Sequence, residues 1–209
     1  MSQAKERPIL FSAPMVRAIL EGRKTVTRRA VKIQPRTKGD IGSYGQGQPF
    51  IRHPDPTKRN PECPYGRPGD RLWVREAWAA DAQVDSIAPR DLSQGEPIMY
   101  PADGCVRQTG CAMVSQGRGR PSIHMPRWAS RILLEITDVR VERLQDISVL
   151  QVRDEGCEVR EFWLFGADAE KRQQIAASVF GGLWSDINGQ ESWGANPWVW
   201  VVKFTRIQP

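Results

Sequence analysis

Glu21-Gly22-Arg23-Lys24-Thr25-Val26-Thr27-Arg28-Arg29 is the stretch on which the reading of this chain turns. Just upstream, Pro14-Met15-Val16-Arg17-Ala18-Ile19-Leu20-Glu21 carries apolar residues at helical spacing, with proline suited to the first turn and Gly22 to the C-terminal cap. The β-branched run Thr25-Val26-Thr27 then predicts extended chain. Across such a bend a lysine three residues before a threonine can set an amine beside a hydroxyl. A threonine hydroxyl is a poor nucleophile until a neighbouring base takes its proton, so the pair Lys24 and Thr27 points to nucleophilic chemistry. The same residues also read as a basic loop that holds phosphate or is simply solvated.

Working outward, Pro68-Gly69-Asp70 predicts a turn into a strand over Arg71–Trp78. A short strand is expected at Pro97–Tyr100, and Ser130–Arg143 reads as one long strand or two bent ones. Ser148-Val149-Leu150-Gln151 has the capping-box pattern of a helix start, and Gly156 marks that helix's end. Glu155 therefore falls in the last turn, where a carboxylate meets the negative end of the helix dipole. A residue that breaks a local rule is a candidate for function, although an exposed glutamate there costs little. A longer helix is expected over 168–187, with Ile175, Val179, Leu183 and Trp184 on one stripe. The final strand, Trp198–Ile207, is apolar on both faces near its start, which suits a central strand.

Two stretches, about 34–69 and 81–122, are rich in Pro, Gly and charged residues and read as long insertions, the first mobile until a ligand orders it. Strands and helices do not alternate regularly, so the fold class is α+β: a small barrel-like sheet flanked by helices, with long loop insertions. The chain reads as one domain over residues 1–209.

The chain resembles the ASCH family, a branch of the PUA-like fold, in its larger phage and prophage form. The likeness rests on Glu21-Gly22-Arg23-Lys24-Thr25-Val26-Thr27-Arg28 and on Pro68-Gly69-Asp70-Arg71-Leu72-Trp73-Val74-Arg75-Glu76. It extends to Asp154-Glu155-Gly156 and to Pro197-Trp198-Val199-Trp200-Val201-Val202-Lys203-Phe204. It implies a PUA-like β-barrel. Small ASCH members include amidohydrolases that remove the acetyl group from N4-acetylcytidine, and the resemblance carries their lysine, threonine and glutamate onto Lys24, Thr27 and Glu155. Thr27 would then attack the amide carbonyl, Lys24 would take its proton, and Glu155 would orient the lysine or pass a proton to the leaving amine. A lysine serves as such a base only where burial and neighbouring cations favour its neutral amine, and Arg23, Arg28 and Arg29 are the cations at hand. This chain is about twice the length of the small members, so its insertions bear on which substrate, if any, is turned over.

Other residues are candidates around the same chemistry. Arg28 is read as a substrate-binding cation. Glu76, at a strand end, can accept hydrogen bonds from the exocyclic amine of a base, or pair with an arginine. Trp78 and Trp198 are two of eight tryptophans and could sandwich a base, though a tryptophan is ordinarily core. Arg118-Gly119-Arg120-Pro121-Ser122-Ile123-His124-Met125-Pro126-Arg127-Trp128 mixes arginines with an aromatic, and Arg118, Arg120 and Arg127 are read as nucleic-acid contacts. The net charge of +6 and a pI near 9.4 favour a polyanionic partner. The expected partner is thus a modified cytosine nucleoside or nucleotide, with RNA or DNA as the alternative.

No apolar run approaches the ~20 residues of a membrane span, and the first residues lack the apolar core of a signal peptide, so a cytoplasmic protein is expected. Cys63, Cys105, Cys111 and Cys157 show no C-x-x-C spacing and are expected as free thiols. A zinc site from Cys63, Cys105, Cys111 and His53 fits no usual spacing, and neither a metal nor a cofactor is expected.

Overall fold

The computed structural model describes residues 4–45, 47–108, 110–159 and 166–208. Contacts divide the chain into two compact units, and each expected insertion lies within one of them. The first unit comprises Met1–Glu21, Arg71–Glu135 and Arg206–Pro209; the second comprises Gly22–Asp70 and Ile136–Thr205. Both mix strands with a few helices around sheet, so the chain is α+β.

In the first unit, β1 (Glu6–Leu10) runs parallel to β5 (Arg71–Arg75), and β5 pairs antiparallel with the start of β8 (Leu133–Arg143). Helix α1 (Ala13–Leu20) follows β1 and stops where Gly22 adopts a left-handed φ of 76°, a conformation that costs a side-chain-bearing residue about 1–2 kcal/mol. The 81–122 segment holds the hairpin β6 (Ile98–Tyr100) and β7 (Cys105–Arg107) and shares a core with the residues that flank it. That core gathers Trp78, Ala80, Leu92, Ile98, Tyr100, Met125 and Ala129.

In the second unit the strand order is β8, β9 (Trp198–Ile207), β2 (Val26–Ala30). The first five residues of β9 are all buried, as a strand flanked on both sides requires. β2 pairs antiparallel with it, Thr27 opposite Val202 and Arg28 opposite Val201. Helices α2 (Val149–Asp154) and α3 (Ala169–Asn188) cover one face, packing Val152, Ala176, Phe180 and Trp184 with Val26, Val199 and Val201. Burying each of the larger side chains contributes about 1.5–3 kcal/mol. On α3 the buried stripe is Ala176, Phe180 and Trp184, with Ile175 and Leu183 beside it, one residue C-terminal to the expected line at Val179. The 34–69 segment holds a short hairpin, β3 (Ile41–Ser43) with β4 (Pro49–Ile51), in which the Phe50 ring occupies the space a side chain on Gly42 would need.

Ser130–Arg143 forms one strand from Leu133 onward, not two. Among the described residues no helix is long and apolar enough to cross a membrane.

Candidate active site

The Gly-Arg-Lys-Thr stretch enters β2 along the C-terminal end of α2. A helix leaves its last carbonyls without partners inside the helix. Here three successive residues of the motif meet them: Thr25 N–H donates to Asp154 O (2.8 Å), Lys24 Nζ to Glu155 O (2.9 Å), and Arg23 to Gly156 O (3.1 Å). Two of these donors are cations at the negative end of a helix, the favourable placement. α2 itself starts with a complete capping box, Ser148 Oγ accepting from Gln151 N–H and Gln151 reaching back to Ser148 N–H. It ends at Gly156, whose φ of 84° turns the chain away.

The Glu155 carboxylate is buried against two cations. Lys24 Nζ lies 2.7 Å from Oε2 and Arg28 Nη1 lies 3.0 Å from Oε1. Lys24 Nζ also donates to the Val26 carbonyl at 2.8 Å, so three oxygens surround it, the number an ammonium's three protons satisfy. Arg28 continues the chain of charge: its Nη2 is 3.3 Å from Glu142, which Arg140 also engages, and Arg140 in turn pairs with Asp138. Its guanidinium lies 5.8 Å from the Phe180 ring centre. The unfavourable helix position of Glu155 is thus offset by two buried positive charges.

Thr27 is buried in β2 one residue before Arg28. Successive side chains of a strand point to opposite faces. Arg28 shares its face with Val26 and the α2–α3 core, so Thr27 lies on the other face, opposite Val202. The structure brings Lys24, Arg28 and Glu155 together and sets Thr27 on the same strand with its side chain on the reverse side from Arg28. Cys157, close to this cluster, has its thiol pushed up to about 11 by burial, with the Glu155 charge adding to it, and so is held as the unreactive thiol.

The remaining candidates have separate surroundings. Glu76 is buried in the first unit with both oxygens taken by Arg131, at 2.9 and 3.0 Å, the ion pair that was the alternative to base contact. Arg131 also holds Asp103 and lies over the Tyr100 ring at 4.1 Å. Burial raises the Glu76 carboxyl above the ordinary glutamate range, with Arg131 pulling the other way. Burial likewise pushes the Tyr100 hydroxyl up to about 12, and that hydroxyl donates to Ala129 O.

Trp78 has no exposed surface and is a core residue of the first unit; Trp198 belongs to the second, is buried, and lies under Arg143 at 4.5 Å. Neither ring face is open for a base in this structure. Arg120 is buried, its guanidinium donating to the carbonyls of Ile87 and Val84, so it braces the loop from within. Arg118 is exposed, and Arg127 pairs with Glu6 at the surface. The four cysteines are free, and among the described residues no group of three or more His, Cys, Asp or Glu is placed to hold a metal.

Arg28 as a direct partner of Glu155, and Glu142 behind it, were not legible as a network in the sequence. The signal available was the alternation of β2, which places Arg28 on the face of Val26.

No family profile matches the chain, and no curated protein matches it. Among solved structures it is similar to protein EF3133 from Enterococcus faecalis, of the family DUF984, at 8% identity, covering 100% of this chain and 84% of that one. The TM-score of 0.34 is too low for that likeness to bear on fold or function.

Proposed function

We propose that the chain is an amidohydrolase that removes an acyl group from an N4-acylated cytosine base, nucleoside or nucleotide, using Lys24, Thr27 and Glu155. A PUA-like barrel is the finer architecture that goes with this reading. One observation supports it: Lys24 and Glu155, 131 residues apart, meet in a buried contact of 2.7 Å beside the strand that carries Thr27. In the reaction, Thr27 Oγ bonds to the amide carbon while the carbonyl π pair moves onto oxygen. The hydroxyl proton passes to the Lys24–Glu155 pair, Lys24 giving one proton to Glu155 Oε2 as it takes the other. Collapse of the intermediate breaks the C–N bond, and the departing cytosine amine takes that proton back. Water then hydrolyses the threonine ester and frees the acid. Arg28 is the cation that would oppose negative charge on the oxyanion, for which it must turn from Glu142 or Glu155 toward the substrate. The step requires Thr27 Oγ to leave its own face of β2 for the face of the pair, which takes a rearrangement of the strand entry and not a side-chain rotation alone.

A second reading, an RNA- or DNA-binding module without amidase activity or one that cleaves nucleic acid, is favoured by the same lysine. With three acceptors already around Nζ, Lys24 serves equally well as a structural cation that ties β2 to α2.

The test is incubation with a panel of N4-acylated cytosine nucleosides, following base absorbance. Thr27→Ala is expected to lose hydrolysis by about 10³-fold or more, since members of a catalytic unit fail together, with the fold intact. Hydrolysis retained in Thr27→Ala would overturn the threonine mechanism, and no turnover by the wild-type chain would leave the binding module standing.

A further inference from the structure

A cavity of about 320 Å³ opens in the first unit, lined by Pro89, Arg118, Gly119, Arg120, Pro121 and His124. That volume is at the lower end of the ~300–1,000 Å³ of small-ligand sites. Its lining residues include two arginines and a histidine, and no aspartate or glutamate. Arg120 is only 4% exposed, and among the described residues its Nε–H has no acceptor although both terminal nitrogens donate to backbone carbonyls. The nearest carboxylate paired with it, Asp85, stands off at 3.9 Å, and both Asp85 oxygens already accept from the Arg118 backbone N–H at 3.1 and 2.9 Å. Burial and the Arg118 charge both press the Arg120 guanidinium downward from its ordinary range, with Asp85 opposing. A buried cation facing a second cation is stabilised by an anion placed between them.

We infer that this pocket binds a phosphate monoester dianion, with the Arg118 guanidinium and the His124 ring as donors and the buried Arg120 charge behind them. Planar guanidinium forks match phosphate oxygens, and a compact dianion suits a concave, doubly cationic site better than a diester passing along a surface. Pro89 and Pro121 contribute rigid apolar walls, and Gly119 leaves the mouth open: a Cβ there meets nothing within 4 Å. The site lies in the first unit and makes no use of Lys24, Thr27 or Glu155, so it stands or falls separately from the amide chemistry.

The chain has two histidines, one in each unit, which gives a direct readout. Imidazole NMR of the full chain is followed while inorganic phosphate, a nucleoside 5′-monophosphate, or a short oligonucleotide with or without a 5′-phosphate is added at low salt. The His124 resonance is expected to shift saturably with the phosphate-bearing ligands while His53 stays in place, and the oligonucleotide lacking its 5′-phosphate should bind at least tenfold more weakly. Equal affinity for inorganic phosphate and the monophosphate assigns the free anion; tighter binding of the monophosphate assigns the ester. Arg118→Ala should weaken binding tenfold or more, and Gly119→Glu, which puts a carboxylate into open space at an unstrained backbone position, should abolish it. These two variants avoid Arg120, whose removal would also unfasten Val84 and Ile87. An unmoved His124 resonance, equal binding without the 5′-phosphate, or unchanged affinity in folded Gly119→Glu would overturn the assignment.

Discussion

In the second unit two cations, Lys24 and Arg28, close on one buried carboxylate, Glu155; in the first, two carboxylates, Glu76 and Asp103, close on one cation, Arg131. The two clusters therefore respond differently to a change of charge. Glu76 can relieve its burial by taking a proton, and its raised carboxyl shows the pull in that direction. In the Lys24–Arg28–Glu155 cluster the Arg28 charge is fixed, because an arginine does not give up its proton in a protein. Such a centre favours an anion forming beside it. That is why the amide chemistry is proposed for the second unit and Glu76 is left as a structural acid.

Removing the acid should hurt the second unit most. Glu155→Leu leaves Lys24 and Arg28 buried against each other and the α2 carbonyls, and should destabilise the protein by about 3–5 kcal/mol in urea unfolding. A cost no larger than that of breaking the Glu76 cluster would erase the distinction drawn between them.

Arg131→Met is the matching test in the first unit. It should cost about 2–3 kcal/mol at neutral pH, the smaller value because Glu76 can neutralise and Asp103 keeps contact with water. The loss should shrink as pH falls. The folded-state carboxyl of Glu76 is raised above its ordinary 4.5, so the stability it contributes is fully present below 4.5 and fades as pH rises through the raised value. Asp103 runs the other way: the Arg131 hydrogen bond lowers it from 3.8, and its contribution is present above 3.8 and fades as pH falls through the lowered value. In Arg131→Met the Asp103 contribution disappears and the Glu76 slope steepens, which unfolding curves taken across the acid range would show. A loss that grew toward acid would contradict this account.

The smallest effect concerns how the second cluster is positioned. Ser148→Ala removes the capping box of α2 and should cost about 1 kcal/mol. Since the far end of α2 supplies both Glu155 and the carbonyls held by Arg23, Lys24 and Thr25, a rise in hydrogen exchange at Thr25 N–H should accompany it. Unchanged exchange there would mean that β2 holds its register without the helix.

Much of the local architecture was legible in advance because it depends on neighbours in sequence. Proline and Gly22 bracket α1, Ser148, Gln151 and Gly156 bracket α2, and the doubly apolar start of β9 marks a strand with partners on both sides. Lys24 and Glu155 could be named from motif resemblance, and their meeting required the fold. The tryptophans and arginines misled more, because a residue type states what a side chain can do and not which way it faces. Trp78 is sealed in a core, and Arg120 braces carbonyls of its own loop.

The sequence by itself determined the elements: helix ends, strand candidates, the basic balance and the residues able to do chemistry, all set by backbone preference and side-chain type within a few positions. Only the tertiary structure decided which charges meet. The pairing of Glu155 with Lys24 and Arg28 spans 131 and 127 residues, and it arises because β2 runs past the open carbonyls at the end of α2. The reverse placement of Thr27 has the same origin, since a strand's alternation becomes a choice of inside or outside only when another element packs on one face.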